Sequence, residues 1–360
     1  MGGRIAIKIG SNVLTRSDGS IDYTRMSALV DQVCDLRRGG CEVILISSGA
    51  VAFGRDALGD ASRLDSVSRR QLLSAVGQTR LMHAYHELLR QRGLFCGQVL
   101  TTKENFSTRH YYLNQKNCME TMLACGVIPI VNENDTISLT ELMFTDNDEL
   151  SGLVATMMDV RLLVILSNVD GLFTGDPAES DSRLIEEIEP GSRSEEQFVS
   201  GAKSTAGRGG MRSKYAVARK VASEGIPVAI ACGKRDGILA AIASGSRELP
   251  YTLFKAGQKP ISGVKKWIAH SGGFSKGSVT VNRGAADALL GRSAASLLPV
   301  GITAVEGDFE KDDLVRILDP DGRPIAVGKA SCGAAELAAN LGRKNLPEFI
   351  HYDYLYIEQL

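Results

Sequence analysis

No apolar run in this 360-residue chain approaches the roughly 18 residues that cross a bilayer, so no membrane-spanning helix is expected. Lys8 interrupts the short apolar stretch near the start and no small-residue cleavage site follows, which speaks against a signal peptide. Met1-Gly2 opens a myristoylation pattern, but Ala6 stands where that pattern takes Ser or Thr. An excess of one charge is missing too. The 41 Lys+Arg against 42 Asp+Glu leave −1, and no global field points to nucleic acid or a membrane surface. Cys34, Cys41, Cys96, Cys118, Cys125, Cys232 and Cys332 are odd in number and never spaced CxxC. That usage makes a disulfide framework and a zinc site poor readings, and reduced, mostly buried thiols in a cytoplasmic protein fit better. Histidine is scarce, with five in all, and His83 and His86 find no acidic or Cys partner at ligand spacing. A solvated or capping role is expected for both, and no protein-held metal.

What the chain does have is glycine, 38 residues, set in a repeating rhythm of short apolar run, glycine-rich turn and amphipathic helix. Arg4–Ile9, Glu42–Ser47, Leu94–Leu100, Val127–Val131, Arg161–Leu166 and Pro227–Ala231 are the runs. Between them, Asp22 can cap a helix carrying Met26, Leu29, Val30 and Val33 at helical spacing. Further helices are predicted from about Ser68 to Arg92, over His110–Ala124 and over Met211–Ser223. The runs are continuous rather than alternating, as in strands covered on both faces, and the order predicts an open α/β/α sandwich with a mainly parallel sheet. Ligands in such folds sit at the carboxyl ends of the strands, where the glycine and polar clusters fall. After about Ala256 the character changes to short β-like runs, at Gly277–Val281, Gly301–Val305, Leu314–Leu318 and Pro324–Val327. We expect a catalytic domain over 1–260, a linker over 261–275 and a small β-rich domain over 276–360.

Nucleotide signatures of the GxxxxGK[ST] and complete GxGxxG kinds are absent. Gly207–Lys214 nevertheless has the parts of a phosphate cradle: glycines that expose backbone N–H groups, a following helix start, and Arg208, Arg212 and Lys214. A solvent-exposed glycine loop is the plainer alternative. Lys8 closes an otherwise apolar strand, where a lysine must either snorkel or meet an anion. Asn132-Glu133-Asn134-Asp135 and Thr145-Asp146-Asn147-Asp148-Glu149 read either as Asx turns and caps or as a holder for a small zwitterion. Ser48-Gly49-Ala50 adds a hydroxyl and compact backbone. Cations and glycine amides beside Asp, Asn and Ser suggest phosphoryl transfer from a nucleotide to an amino-acid-sized acceptor. A carboxylate acceptor, with a pKa near 4, is ionised at neutral pH and needs no general base, so the shortage of histidine is no obstacle.

The ordered set Lys8-Ile9-Gly10-Ser11, Ser47-Ser48-Gly49-Ala50, Asn132-Glu133-Asn134-Asp135, Asp146-Asn147-Asp148, Gly209-Gly210-Met211 and Lys214 resembles the glutamate-phosphorylating members of the amino acid kinase family. Lys265-Lys266-Trp267-Ile268 and the β-rich tail resemble the junction and PUA domain that follow it. The resemblance implies ATP- and Mg²⁺-dependent phosphorylation of the γ-carboxylate of L-glutamate, giving L-glutamyl 5-phosphate and ADP, the first step of proline biosynthesis. It also implies proline as feedback inhibitor, a homo-oligomer, and hand-off of the product to glutamyl phosphate reductase. Carried over by position, Lys8 and Lys214 would stabilise the transferring phosphoryl group and Asp148 would orient them. Ser48, Asp135 and Asn147 would bind glutamate, Asp135 through its ammonium. Ser167, Asn168, Arg208, Gly209, Gly210, Met211, Arg212, Ser213 and Lys214, with Lys8, would line the ATP side, and Mg²⁺ would arrive on ATP. Arg208 and Ser213 stand where the family often has threonine, and Asn168 where aspartate is frequent.

A kinase of acetylglutamate, aspartate or a nucleoside monophosphate is the nearest alternative; the Asn132–Asp135 cluster and the tail favour free glutamate. The other alternative is an RNA-binding PUA protein. Residues 271–360 hold 4 Lys and 5 Arg against 7 Asp and 5 Glu, a balance of −3 that offers no basic patch for a phosphate backbone.

Overall fold

In the computed structural model, residues 2–106, 109–138, 146–192, 194–199, 210–257, 265, 267–268, 275–291, 295–343 and 345–357 are described. The chain divides into two compact units, Met1–Lys103 with Asn114–Pro260, and Glu104–Leu113 with Ile261–Leu360.

The strands of the first unit are β1 (Gly3–Ile9), β2 (Cys41–Ser47), β3 (Phe95–Thr101), β4 (Val127–Glu133), β5 (Leu162–Ser167), β6 (Leu172–Phe173), β7 (Leu184–Ile185), β8 (Glu187–Ile188), β9 (Val228–Cys232) and β10 (Tyr251–Phe254). β6 and β7 form an antiparallel ribbon, and the other eight build one sheet in the order β3-β4-β2-β1-β5-β9-β10-β8. From β3 across to β9 every neighbouring pair is parallel; β10 runs antiparallel to β9. Each of the six apolar runs read from the sequence forms one of these strands. Ile5, Ala6, Ile7 and Ile9 of β1 and Val43, Ile44, Leu45 and Ile46 of β2 are at most 1 % exposed, so continuous apolarity reflects burial on both faces.

The helices of this unit are α1 (Ser11–Leu14), α2 (Tyr23–Arg38), α3 (Ala50–Leu58), α4 (Ser66–Arg90), α5 (Arg109–Ala124, which begins in the second unit), α6 (Asn147–Met157), α7 (Glu196–Val199), α8 (Met211–Ser223) and α9 (Ile238–Ser244). Asp22 caps α2 by accepting from Arg25 N–H at 3.0 Å, and Met26, Leu29, Val30 and Val33 pack inward. Asp65 caps α4 in the same manner. Helices α3 and α4 cross with almost no separation, because Gly54 and Gly77 stand at the crossing. A Cβ on Gly77 would overlap Ala50 O and Gly54 N, and one on Gly54 would overlap the backbone of Leu73. Gly77→Ala is therefore expected to destabilise the protein by about 3 kcal/mol or more, since backbone rather than a flexible side chain is in the way. Denaturant unfolding checks this, and a loss below about 1 kcal/mol would show that the helices part cheaply.

Two expectations are corrected. Of the seven thiols only Cys34 and Cys41 are buried; Cys118 and Cys125 are exposed, the first on α5 and the second just beyond its end, and the other three are intermediate. Apolar character alone did not separate the covered helix face from the open one. The helix predicted to start at Ser68 begins at Ser66, and α3 precedes it as a separate element. His83 and His86 are exposed on α4. Among the described residues no helix is long and apolar enough to cross a membrane.

The second unit holds β11 (Gly277–Val281), β12 (Ile302–Gly307), β13 (Leu314–Leu318), β14 (Pro324–Lys329) and β15 (Leu355–Ile357), ordered β12-β11-β13-β14-β15. Its pairs are antiparallel except β11 with β13. Val279, Val281, Ile302, Phe309, Val315, Ile317, Phe349 and Ile350 form its core. Trp267, the chain's single tryptophan, is 2 % exposed and donates from Nε1 to Phe106 O at 3.1 Å within this unit. Thr145, Lys266 and most of the 261–275 stretch read as a linker lie outside the described residues.

Candidate active site

Parallel neighbours end on one edge of a sheet, so the residues that close β1, β2, β4 and β5 meet there. A cleft of about 1070 Å³ opens on that edge, large enough for two small ligands. Lys8, Gly10, Ser48, Asn132, Asp135, Asp146, Asn147, Asp148, Ser167, Asn168, Gly210, Met211 and Lys214 all line it.

At its centre lies Asp148, fully buried in the first turn of α6, between two lysines. Lys8 Nζ from β1 is 2.5 Å from Asp148 Oδ1, and Lys214 Nζ from the first turn of α8 is 2.9 Å from Oδ2. Lys8 and Lys214 are 5 % and 7 % exposed. Burial works to raise the Asp148 pKa, but the two lysines, by charge and by hydrogen bond, outweigh it and hold the carboxyl below its ordinary range. Lys8 shifts the other way: burial lowers its pKa, the like charge of Lys214 adds to that, and Asp148 only partly opposes them. Asp146 caps α6, its Oδ1 accepting from the N–H groups of Asp148 and Glu149 at 2.9 and 3.0 Å, which fixes where Asp148 points.

Two buried ammonium groups held side by side on one carboxylate are charge-assisted donors of the kind that suits a phosphoryl group. Helix α8 starts at Gly210, which supplies no side-chain cap, so the first-turn N–H groups of a 13-residue helix also face the cleft edge that Gly210 and Met211 line. Ser167 closes β5 and is buried, while Asn168 is exposed; Ser167 Oγ donates to Asn168 Oδ1 at 3.3 Å. Phe173, Pro177 and Phe198 line the cleft as well, an apolar contribution that the sequence reading missed. Arg212 and Ser213 lie on α8 but outside the lining, Arg212 being exposed. Arg208 and Gly209 lie outside the described residues.

Polar groups collect on the other side of the lysines. Asn147 Nδ2 donates to Ser48 Oγ at 2.8 Å and to Asn132 Oδ1 at 3.0 Å, and Asn132 Nδ2 donates to Gln78 Oε1 at 2.8 Å. Ser48 is presented by a turn that only glycine takes readily, Gly49 having φ of +117° as it leads into α3. Asn147 Oδ1 and Asp146 Oδ2 are buried with no hydrogen-bond partner among the described residues, as acceptors held for a donor from a ligand would be. Asp135 is not bare: Arg70 of α4 pairs with it, Nε lying 2.9 Å from Oδ1 and Nη2 also bonding that oxygen. The sequence reading missed Arg70. The signal was there in retrospect, since Arg70, Ser74 and Gln78 recur at four-residue spacing, a polar stripe on a helix face that packs inward.

Comparison with known proteins agrees with this geometry. The model of the amino acid kinase family matches residues 3–232, and that of the PUA domain matches residues 277–346. A glutamate 5-kinase of Bacteroides thetaiotaomicron is 57 % identical over 355 residues, covering 99 % of this chain and 98 % of that protein. One from Chlorobaculum tepidum is 46 % identical, covering 98 % and 97 %. Among solved structures, carbamate kinase from Giardia lamblia bound to AMP-PNP aligns with a TM-score of 0.51 at 17 % identity, covering 71 % of this chain and 99 % of that one, a likeness of fold. The chain belongs to the amino acid kinase family, in the branch formed by the glutamate 5-kinases, and carries a PUA domain after its kinase fold.

Proposed function

We infer that this chain transfers the γ-phosphoryl group of ATP to the γ-carboxylate of L-glutamate, giving L-glutamyl 5-phosphate and ADP, the first step of proline biosynthesis. The observation that carries the reading is the pair of buried lysines on one carboxylate, set between an uncapped helix start and a cluster of Ser, Asn and Asp. Lys8 and Lys214 neutralise charge on the phosphoryl group as it moves, and Asp148 keeps both ammonium groups at the point of transfer. Ser48 and Asn147 seat the acceptor, and Asp135 pairs with its ammonium. The acceptor carboxylate is already ionised; its oxygen bonds phosphorus as the bond to the bridging oxygen of ADP breaks, and no proton has to move.

ATP fits the residues present, with Lys8, Lys214, Ser167, Asn168, Gly210 and Met211 on its side and Arg208, Gly209, Arg212 and Ser213 completing that side in the reading. Among the described residues no three His, Cys, Asp or Glu side chains converge to hold a metal. In this reading Mg²⁺ arrives on ATP, held chiefly by the phosphates, and would supply charge neutralisation there. We place the catalytic domain at 1–260, the linker at 261–275 and the PUA-like domain at 276–360. A cytoplasmic site of action, a homo-oligomer, inhibition by proline and delivery of product to glutamyl phosphate reductase complete the proposal.

Hydroxylamine tests it, because an acyl phosphate is trapped as a hydroxamate. Hydroxamate with ATP and L-glutamate, but not with N-acetylglutamate or aspartate, is expected. ADP release without hydroxamate would overturn the carboxylate acceptor. Asp135→Asn is expected to raise the KM for glutamate about tenfold to hundredfold while leaving that for ATP nearly unchanged, since the lost interaction is one charge pair with the ammonium. An unchanged glutamate KM would move the ammonium site elsewhere.

A further inference from the structure

We propose that Arg70 is a specificity-determining binding residue of the acceptor site, and that the Arg70–Asp135 pair reads the head group of an amino acid as one cation joined to one anion. The proposal rests on the acceptor reading given above and adds to it a residue that reading does not use. Arg70 lines the cleft, and its side chain is 22 % exposed. The two carboxylates it holds are more deeply placed, Asp135 at 10 % and Glu133 at 4 % side-chain exposure. Nε and Nη2 both go to Asp135 Oδ1, and Nη2 also lies 3.4 Å from Glu133 Oε2. The guanidinium thus binds two neighbouring carboxylates that would otherwise repel each other in a poorly hydrated place.

The same geometry leaves one atom unused on each partner. Among the described residues, Arg70 Nη1 donates no hydrogen bond and Asp135 Oδ2 accepts none. Nη1 keeps two N–H groups and Asp135 keeps one oxygen, a donor and an acceptor of the kinds that an α-carboxylate and its α-ammonium take. Without Arg70 the two carboxylates lose the cation they share and meet an acceptor that brings two carboxylates of its own. Helix α4 holds the loop in register at further points, Gln71 Nε2 donating to Thr136 O at 2.8 Å and Gln78 taking Asn132, so Arg70 acts from a braced element.

The test compares Arg70→Met and Arg70→Lys with the wild type for hydroxamate formation, calorimetric titration of L-glutamate and thermal midpoint. Arg70→Met is expected to raise the glutamate KM and weaken glutamate binding about tenfold or more, with the ATP KM within about twofold and kcat within about threefold. Arg70→Lys keeps the charge but not the fork, and is expected to fall between the two. A glutamate KM that moves by less than about twofold in folded Arg70→Met would overturn the proposal. So would a joint shift of both KM values, kcat and the midpoint, which marks a merely structural arginine. If Arg70→Met does not fold, Arg70→Lys decides: a rise in the glutamate KM alone supports the role, and an unchanged value overturns it. Wild-type protein that neither binds nor phosphorylates glutamate would overturn the parent reading and this one together. Wild-type turnover with an indifferent Arg70 overturns this one alone.

Discussion

Lys214→Ala is expected to lower kcat by about 10³-fold while the protein stays folded, a barrier increase of about 4 kcal/mol. The size follows from the position of the side chain. Its ammonium sits 2.9 Å from Asp148 in a dry site, where a fixed charge acts on a developing phosphoryl charge with little screening by water. Preservation of the fold follows from charge counting. Removing Lys214 from the triad leaves Lys8 and Asp148 paired at 2.5 Å, so Asp148 keeps a counter-charge. The KM for glutamate is expected to change little, because the acceptor contacts run through Ser48, Asn147 and Asp135. Circular dichroism and thermal unfolding establish the folded state, and single-turnover formation of hydroxamate measures the chemical step. A folded variant with turnover within about tenfold of wild type would remove Lys214 from the transfer.

The parts of this molecule that could be read from its sequence are those in which a local pattern has one structural meaning. Continuous apolar runs became parallel strands, buried where helices cover both faces and partly open in the edge strand β3, and Asp22 capped the helix whose inward face its spacing predicts. The lysines were legible for a related reason. Lys8 at the end of an apolar strand had either to snorkel or to meet an anion, and Asp148 meets it. Long-range pairings were harder to see. Nothing local ties Arg70 to a loop 65 residues away, nor Gln78 to Asn132. Helix α3 also escaped notice, since its nine residues include a glycine that reads as a breaker yet serves as a packing notch for α4. Strand β10 and the edge strand β8 are four and two residues long, too short for a period to register.

Asp148→Asn is expected to do what Lys214→Ala does not, and to cost stability as well as turnover. The substitution keeps the shape of the side chain but takes away the carboxylate that Lys8 and Lys214 share. Breaking a buried pair by removing one partner costs about 3–5 kcal/mol, and here one carboxylate serves two lysines. Turnover is expected to fall by about 10²-fold or more as the ammonium groups lose their common anchor. The stability deficit carries a pH signature. In the wild type Asp148 is held below its ordinary value of 3.8, so its contribution is full above that value and is lost only as pH falls through the lower folded one. Lys8 is held below 10.5, so the folded state sheds that proton before the unfolded chain does, and stability rises with pH across the window between the two values. Removing Asp148 takes away what opposed that shift and widens the window downward. The variant's deficit is therefore expected to be largest near pH 7 and to shrink as pH rises to about 10, because the lowered Lys8 pKa lets the folded state shed that charge early. Denaturant midpoints of both proteins at the two pH values decide the matter. A deficit of less than about 1 kcal/mol at pH 7, or one that does not change with pH, would mean that the two lysines do not depend on this carboxylate for their charge.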